Sequence, residues 1–155
     1  MINICPCQQQ QANPAEYDQC CKPLHCGLHA SHLTGISPEQ LMRSRFSAYV
    51  LGLEGYLKRT WHSSTCPRPL AAKPDDQWLK LDVVSSSDSQ VHFKAFFKDQ
   101  NGFQCLEETS DFVIENDRLV YLCGDTQMHT ITLKRNDVCL CGSGKKFKKC
   151  CDSLG

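Results

Sequence analysis

Most of the twelve cysteines of this chain fall into two sets, one near each end. Cys5-Pro6-Cys7 is followed after a spacer by Cys20-Cys21. Cys139-Leu140-Cys141 is followed by Cys150-Cys151. Four thiolates arriving two by two can close a tetrahedron around Zn²⁺, with Zn–S bonds of about 2.3 Å. Each set supplies four ligands and leaves no open position, so the zinc expected here is structural rather than catalytic. The pattern constrains the fold: two small lobes ordered by metal should flank a metal-free centre, with both metals outside the central core.

The C-terminal spacer reads Gly142-Ser143-Gly144-Lys145-Lys146-Phe147-Lys148-Lys149. Gly142 and Gly144 allow a backbone turn through positive φ just after the first ligand pair. Such a turn can aim amide N–H groups at the sulfurs. A Cys₄ zinc centre carries a formal charge of about −2, which Lys145, Lys146, Lys148 and Lys149 would offset. Phe147, the one large apolar residue of the loop, can roof the site against water. A helical end can turn the adjacent ligands Cys150 and Cys151 inward together.

The segment Asp137-Val138-Cys139-Leu140-Cys141-Gly142-Ser143-Gly144-Lys145-Lys146-Phe147-Lys148-Lys149-Cys150-Cys151 resembles a SEC-C motif, the zinc knuckle found at the C-terminus of the SecA translocase ATPase and on other bacterial proteins. The whole chain resembles the YchJ family. It shares a second cysteine set at the N-terminus, with Leu41-Met42-Arg43-Ser44-Arg45-Phe46 and Thr60-Trp61-His62 between. This resemblance implies a central NTF2-like α+β domain and two zinc ions. It also suggests a protein partner among chaperone, export or ribosome-associated factors.

The N-terminal set departs from the motif. Gln8 to Gln11 replace the Gly-Ser-Gly turn and the spacer is longer, so the weaker metal site is expected there. His25, Cys26 and His29 lie just beyond and are alternative ligands. Disulfide bonding is the competing reading for both sets, favoured in small secreted proteins. The opening Met1-Ile2-Asn3-Ile4 has neither a basic n-region nor an apolar h-region, so a reducing, cytoplasmic location is expected. The sequence has no apolar run near eighteen residues, which argues against membrane insertion.

The 155 residues suffice for one ordinary domain with appendages. The expected division is residues 1–36 as an N-terminal knuckle and linker, 37–133 as the α+β domain, and 134–155 as the C-terminal knuckle. Formal net charge is zero. Residues 134–155 are basic, but a thiolate centre cancels much of that charge, which leaves only weak support for nucleic-acid binding. The four lysines are a candidate partner contact.

Residues 1–36 are punctuated by Pro and Gly and read as irregular. Ser37-Pro38-Glu39-Gln40 announces a helix by its capping box and early proline. Met42, Phe46, Tyr49, Val50 and Leu53 then recur at helical spacing. A second short helix is expected from about Glu54 to Trp61, and residues 63–76 read as a loop. After it the period becomes two: Leu79, Leu81 and Val83 form one run, and Val91, Phe93, Ala95 and Phe97 the next. Asn101-Gly102 is a hairpin signal. A long, mixed strand is expected at 103–114, a turn at Glu115-Asn116-Asp117, and a last strand from Arg118 to Leu122. Helices followed by an antiparallel meander predict an α+β fold with helices on one face of a curved sheet.

The candidates for a central pocket are Arg43, Arg45, Trp61, His62, Asp111 and Asp125. Arg45 lies near the buried edge of its helix and needs a partner, which Asp111 or Glu107 could supply. The plain reading is a helix-to-sheet ion pair, and the sharper one an anion-binding arginine. His62, at a helix end, reads either as a dipole partner or as a general base beside Trp61. Cys66, Cys105 and Cys123 read as small apolar packers. The sequence has no phosphate loop, nucleophile elbow or catalytic metal motif, which favours a binding role over an enzymatic one.

Overall fold

The computed structural model describes residues 4–27, 35–70 and 76–154. After the N-terminal segment, a one-turn helix α1 (Lys22–His25) precedes α2 (Pro38–Leu51) and α3 (Glu54–Arg59). Four strands follow, β1 (Gln77–Ser86), β2 (Gln90–Asp99), β3 (Gly102–Glu115) and β4 (Arg118–Ile131). They form one antiparallel sheet in the order β1-β2-β3-β4. The architecture is the α+β meander expected.

Helix α2 starts where its cap directs. The Gln40 N–H donates to Ser37 Oγ (3.1 Å), and the Ser37 N–H donates to Gln40 Oε1 (2.9 Å). It stops at Gly52, whose φ of +71° a β-carbon would resist. Helix α3 ends at Arg59, two residues earlier than expected, because Thr60 leaves helical geometry and Trp61 pairs with Tyr121 at the sheet.

The β2–β3 turn centres on Gln100 and Asn101, one residue before the expected Asn101-Gly102, with Gly102 at φ +111° opening β3 opposite Asp99, and the β3–β4 turn puts both Asn116 and Asp117 at positive φ. A two-residue hairpin of the primed type requires this conformation. Register shifts at Trp78/Lys80, Val83/Ser85 and Asp111/Phe112 bend the strands, as bulges do. Strand β4 runs to Ile131, well past the expected end at Leu122, with Phe103 opposite Ile131. Its second half is exposed and polar, so it lacks the alternation that marks a half-buried strand. Pairing along the whole of β3 holds it.

The concave face buries Leu41, Met42 and Phe46 of α2 against Leu81, Val91 and Phe93 of the sheet. Cys5, Cys7 and Cys21 belong to this same cluster, each 2% exposed or less. The N-terminal knuckle is therefore not an appendage outside the core, as the sequence led one to expect. Its sulfurs fill the space beside Ser47 on α2, and Gln11 donates to the Leu81 carbonyl of edge strand β1 (3.4 Å). That contact also blunts an open sheet edge.

The C-terminal knuckle packs on the opposite face. Phe103 has the opposite parity to Leu106 on β3, and it packs with Leu79, Cys139 and Phe147 in a separate cluster. The two knuckles meet at the rim, where Gln10 Nε2 donates to the Leu140 carbonyl (2.9 Å).

Candidate functional site

Each cysteine set comes together with its four sulfurs within 4.8 Å of one another. At the N-terminal centre Cys7 lies 3.6 Å from Cys5, 3.5 Å from Cys20 and 3.6 Å from Cys21. Cys20 and Cys21 are 3.9 Å apart. At the C-terminal centre Cys141 and Cys150 are 3.4 Å apart. All these cysteines are free thiols. A tetrahedron with metal–sulfur bonds of about 2.3 Å has edges of about 3.8 Å. The donor set and its spacing therefore fit a four-coordinate metal ion.

The two centres share one local design. Cys5 N–H donates to the Ala15 carbonyl (3.0 Å), as Cys139 N–H does to Lys145 (2.8 Å). Isolated bridges join Ile4 to Glu16 and Val138 to Lys146. A 3₁₀ turn follows in each, Tyr17–Gln19 and Phe147–Lys149, and delivers the Cys-Cys pair. At Cys20 and Cys150 the backbone leaves helical geometry, with ψ of −92° and −114°, and this break turns both neighbours inward. Tyr17 and Phe147 thus occupy equivalent places. The shared signal, an aromatic three residues before Cys-Cys, is legible in both halves of the sequence once the sets are aligned from their second pair.

Where the C-terminal loop uses Gly142 and Gly144 at positive φ, the N-terminal loop puts Gln10 there, at φ +64°. The glutamines have their own roles: Gln8 Nε2 lies 3.6 Å from Cys7 Sγ, and Gln10 spans to the other knuckle. Hydroxyls support the sulfurs, Ser47 at Cys21 (3.3 Å) and Ser143 at Cys150 (3.2 Å).

Crowding of the sulfurs splits their acidities. Hydrogen bonds from Cys21 and Cys7 hold the Cys5 thiol far below its usual range. Burial and then the charge of Cys7 push Cys20 up to about 12, and hydrogen bonding to Cys5 raises Cys21 further. At the other centre the Ser143 hydroxyl brings Cys141 down to about 6, while burial raises Cys151 to about 12. Four thiolates this close cannot all ionise without a cation between them. A bound dication supplies that compensation.

His25 is not a ligand. Its Nε2–H donates to the Ser44 carbonyl (2.7 Å), and Nδ1 accepts from the Tyr17 hydroxyl (2.8 Å). Burial holds its pKa down, in keeping with a neutral ring. Cys26 is exposed and outside the cluster, and His29 lies outside the described residues. Of the lysines, Lys145, Lys146 and Lys149 are exposed and Lys148 is half-buried. None forms an ion pair among the described residues.

Under the sheet lies a cavity of about 270 Å³, lined mainly by aromatic side chains. Arg45 and Trp61 line it as expected. The others do not. Arg43 turns outward to Glu39 (3.4 Å) and to the Cys7 carbonyl (3.3 Å), tying α2 to the knuckle. His62 pairs with Glu115 (3.2 Å) and Ser64. Asp111 points to the other face, where Gln90 donates to it (2.7 Å), and Asp125 is exposed.

Arg45 makes no helix-to-sheet ion pair with Asp111 or Glu107. Its Nη1 donates to the Leu57 carbonyl (2.9 Å) and to Thr60 Oγ1 (2.6 Å) at the end of α3. Its guanidinium lies 4.8 Å from the ring centroids of both Trp61 and Tyr121. Glu107 faces outward to His92 (2.9 Å) and His129 (3.5 Å). The acid of the cavity is its neighbour Glu108, which sequence reasoning missed. Leu106, Glu108 and Ser110 share one parity on β3, and that alternation was the available signal.

A curved antiparallel sheet around a cavity, flanked by Cys₄ knuckles, defines an NTF2-like protein carrying metal-binding motifs. The comparisons with known proteins give the family. The family model described as the YchJ middle NTF2-like domain matches residues 37–124, and the SEC-C motif matches residues 135–151. A UPF0225 protein of Shewanella sp. (strain MR-4) is 39% identical over 95% of this chain and 94% of its own. One from Vibrio parahaemolyticus is 37% identical over 97% and 99%. The crystal structure of a SEC-C motif containing protein from Psychrobacter arcticus is 32% identical, covers 98% of this chain and 97% of its own, and superposes with a TM-score of 0.66. The chain belongs to the YchJ (UPF0225) family. Among its described residues no helix is long and apolar enough to cross a membrane.

Proposed function

We propose that this protein binds two structural Zn²⁺ ions, and that its C-terminal knuckle is a contact surface for a protein partner. The observation that carries the metal reading is the convergence of both Cys₄ sets into the same local fold, with the four sulfurs of each within 4.8 Å of one another. Zinc suits four thiolates in a closed tetrahedron better than harder cations that prefer oxygen. The N-terminal ion ties the chain end to α2 and β1. The C-terminal ion orders a loop in which Lys145, Lys146 and Lys149 are exposed and form no ion pair among the described residues. A partner with an acidic surface fits that loop, and chaperone, export or ribosome-associated proteins are the class proposed.

The sequence led us to expect the weaker site at the N-terminus. Burial of the N-terminal sulfurs argues for the opposite order. A left-handed Gln10 costs about 1–2 kcal/mol, whereas losing the N-terminal ion would strand sulfurs inside the core. A strong chelator should therefore release zinc in two phases, the C-terminal ion leaving first and at least about tenfold faster. Release in a single phase, or loss of the N-terminal ion first, would contradict this assignment. Lys148→Glu with Lys149→Glu should deplete bound partners from a pull-down by about tenfold while zinc content stays the same. An unchanged partner set would remove the basis for the contact surface.

A further inference from the structure

The cavity under the sheet encloses two charged side chains that do not meet. Arg45 and Glu108 are 5% and 8% exposed, and both line it. Arg45 uses only Nη1 for hydrogen bonds among the described residues, leaving Nε and Nη2 without an acceptor. Glu108 accepts from the Ser110 hydroxyl (2.8 Å) and the Tyr121 hydroxyl (2.7 Å), both at Oε1, while Oε2 takes none among the described residues. No direct ion pair joins the two groups. Buried charges that are neither paired nor saturated with hydrogen bonds are costly, and native structures retain them where something else completes the set. The indole N–H of Trp61 is sealed within the wall and has no acceptor among the described residues.

Glu108 is held in place deliberately. A β-carbon on Gly124, its neighbour on β4, would collide with the Glu108 carboxylate. The sheet leaves out a side chain there so that a carboxylate can occupy the space. Around these polar groups the walls are rings, including Phe46, Trp78, Phe93 and Phe112. The volume falls just under the range of about 300–1,000 Å³ common for small-molecule sites, so the occupant is small.

We propose that this cavity binds a small, planar, uncharged aromatic molecule carrying an amide edge. Its carbonyl oxygen sits on the free N–H groups of Arg45, with the Trp61 ring beside it as a wall. Its N–H donates to Glu108 Oε2. The ring lies among the aromatic walls, where stacking and apolar burial act together. Neutrality follows from the site's own charges, since one guanidinium and one carboxylate already balance. A net anion would face Glu108 and a net cation would face Arg45. A zwitterion would bring two further charges into a largely apolar space, which costs more than an amide does.

The chain's two tryptophans, Trp61 and Trp78, both line the cavity, so intrinsic fluorescence reports directly on its contents. Benzamide is the probe, titrated into the full-length protein beside benzoate, toluene and L-phenylalanine. Benzamide should change the emission saturably and shift the indole N–H resonance of Trp61. Benzoate and toluene should bind at least about tenfold more weakly, because benzoate loses the donor and toluene loses both donor and acceptor. Glu108→Gln should weaken benzamide about tenfold and strengthen benzoate, a switch that a merely structural Glu108 would not produce. If that variant fails to fold, the probe series on the unaltered protein still decides. No saturable response to benzamide, or toluene binding as tightly, would overturn the proposal. Tighter binding of benzoate or L-phenylalanine to the unaltered protein would overturn the neutral assignment.

Discussion

Cys21→Ser should lower the stability of the whole protein, and not only empty one metal site. Cys21 is 2% exposed and packs in the cluster that contains Leu41, Phe46 and Leu81. Without its thiolate the remaining sulfurs, Ser47 and any bound ion lose a ligand in a place that water does not reach. Breaking a buried charge set by removing one member costs about 3–5 kcal/mol. That is a large share of a typical stability of about 5–15 kcal/mol. The melting temperature should fall by about 10 °C or more. Cys151→Ser, at the more exposed centre on the other face, should cost only a few degrees. Equal losses at the two positions would contradict the placement of the N-terminal knuckle in the core. For the same reason, residues 37–133 expressed alone should not melt cooperatively, despite their capped helix and alternating strands. They would expose the face that Cys5, Cys7 and Cys21 cover.

Gly124→Ala should cost about 1–3 kcal/mol despite adding a single methyl group. The added carbon collides with the carboxylate of Glu108. Either β4 shifts, at the usual cost of overpacking of about 1–3 kcal/mol, or Glu108 leaves Ser110 and Tyr121 and abandons buried hydrogen bonds worth a similar amount. A urea titration of the single variant and of Gly124→Ala with Glu108→Ala separates these effects. The double variant should recover part of the loss, because the collision partner is gone, and the coupling should exceed about 1 kcal/mol. A single-variant cost below about 0.5 kcal/mol would mean that the two side chains do not approach as described.

Much of the fold was legible in the residues. Ser37 and Gln40 marked the start of α2, and Val91 to Phe97 marked a half-buried strand. Asn116-Asp117 marked one hairpin turn, and Asn101-Gly102 marked the other to within one residue. The cysteine spacings pointed to clusters that the fold then assembled. What was not legible depended on long-range packing. Spacing alone could not say that Cys5 and Cys21 would be core residues while Cys141 and Cys151 stay half-buried, because that depends on which sheet face each knuckle meets. The choice between Glu107 and Glu108 turned on strand parity, which a long mixed run conceals. His62 and Asp111 carried the right chemistry for a pocket but were drawn away by Glu115 and Gln90 on the opposite side of the sheet. The run of glutamines looked like a damaged glycine turn. In the fold it spans from Cys7 to Leu140 and to the edge of β1.

The central claim is that eight clustered thiols hold two zinc ions, and the most direct test is the zinc-to-protein ratio of the full chain purified under mild reducing conditions. The account predicts two zinc ions per chain, with Cys26, Cys66 and Cys123 open to alkylation while both cysteine sets stay protected until a chelator is added. A ratio of one or less, with both sets reduced and freely alkylated, would contradict it.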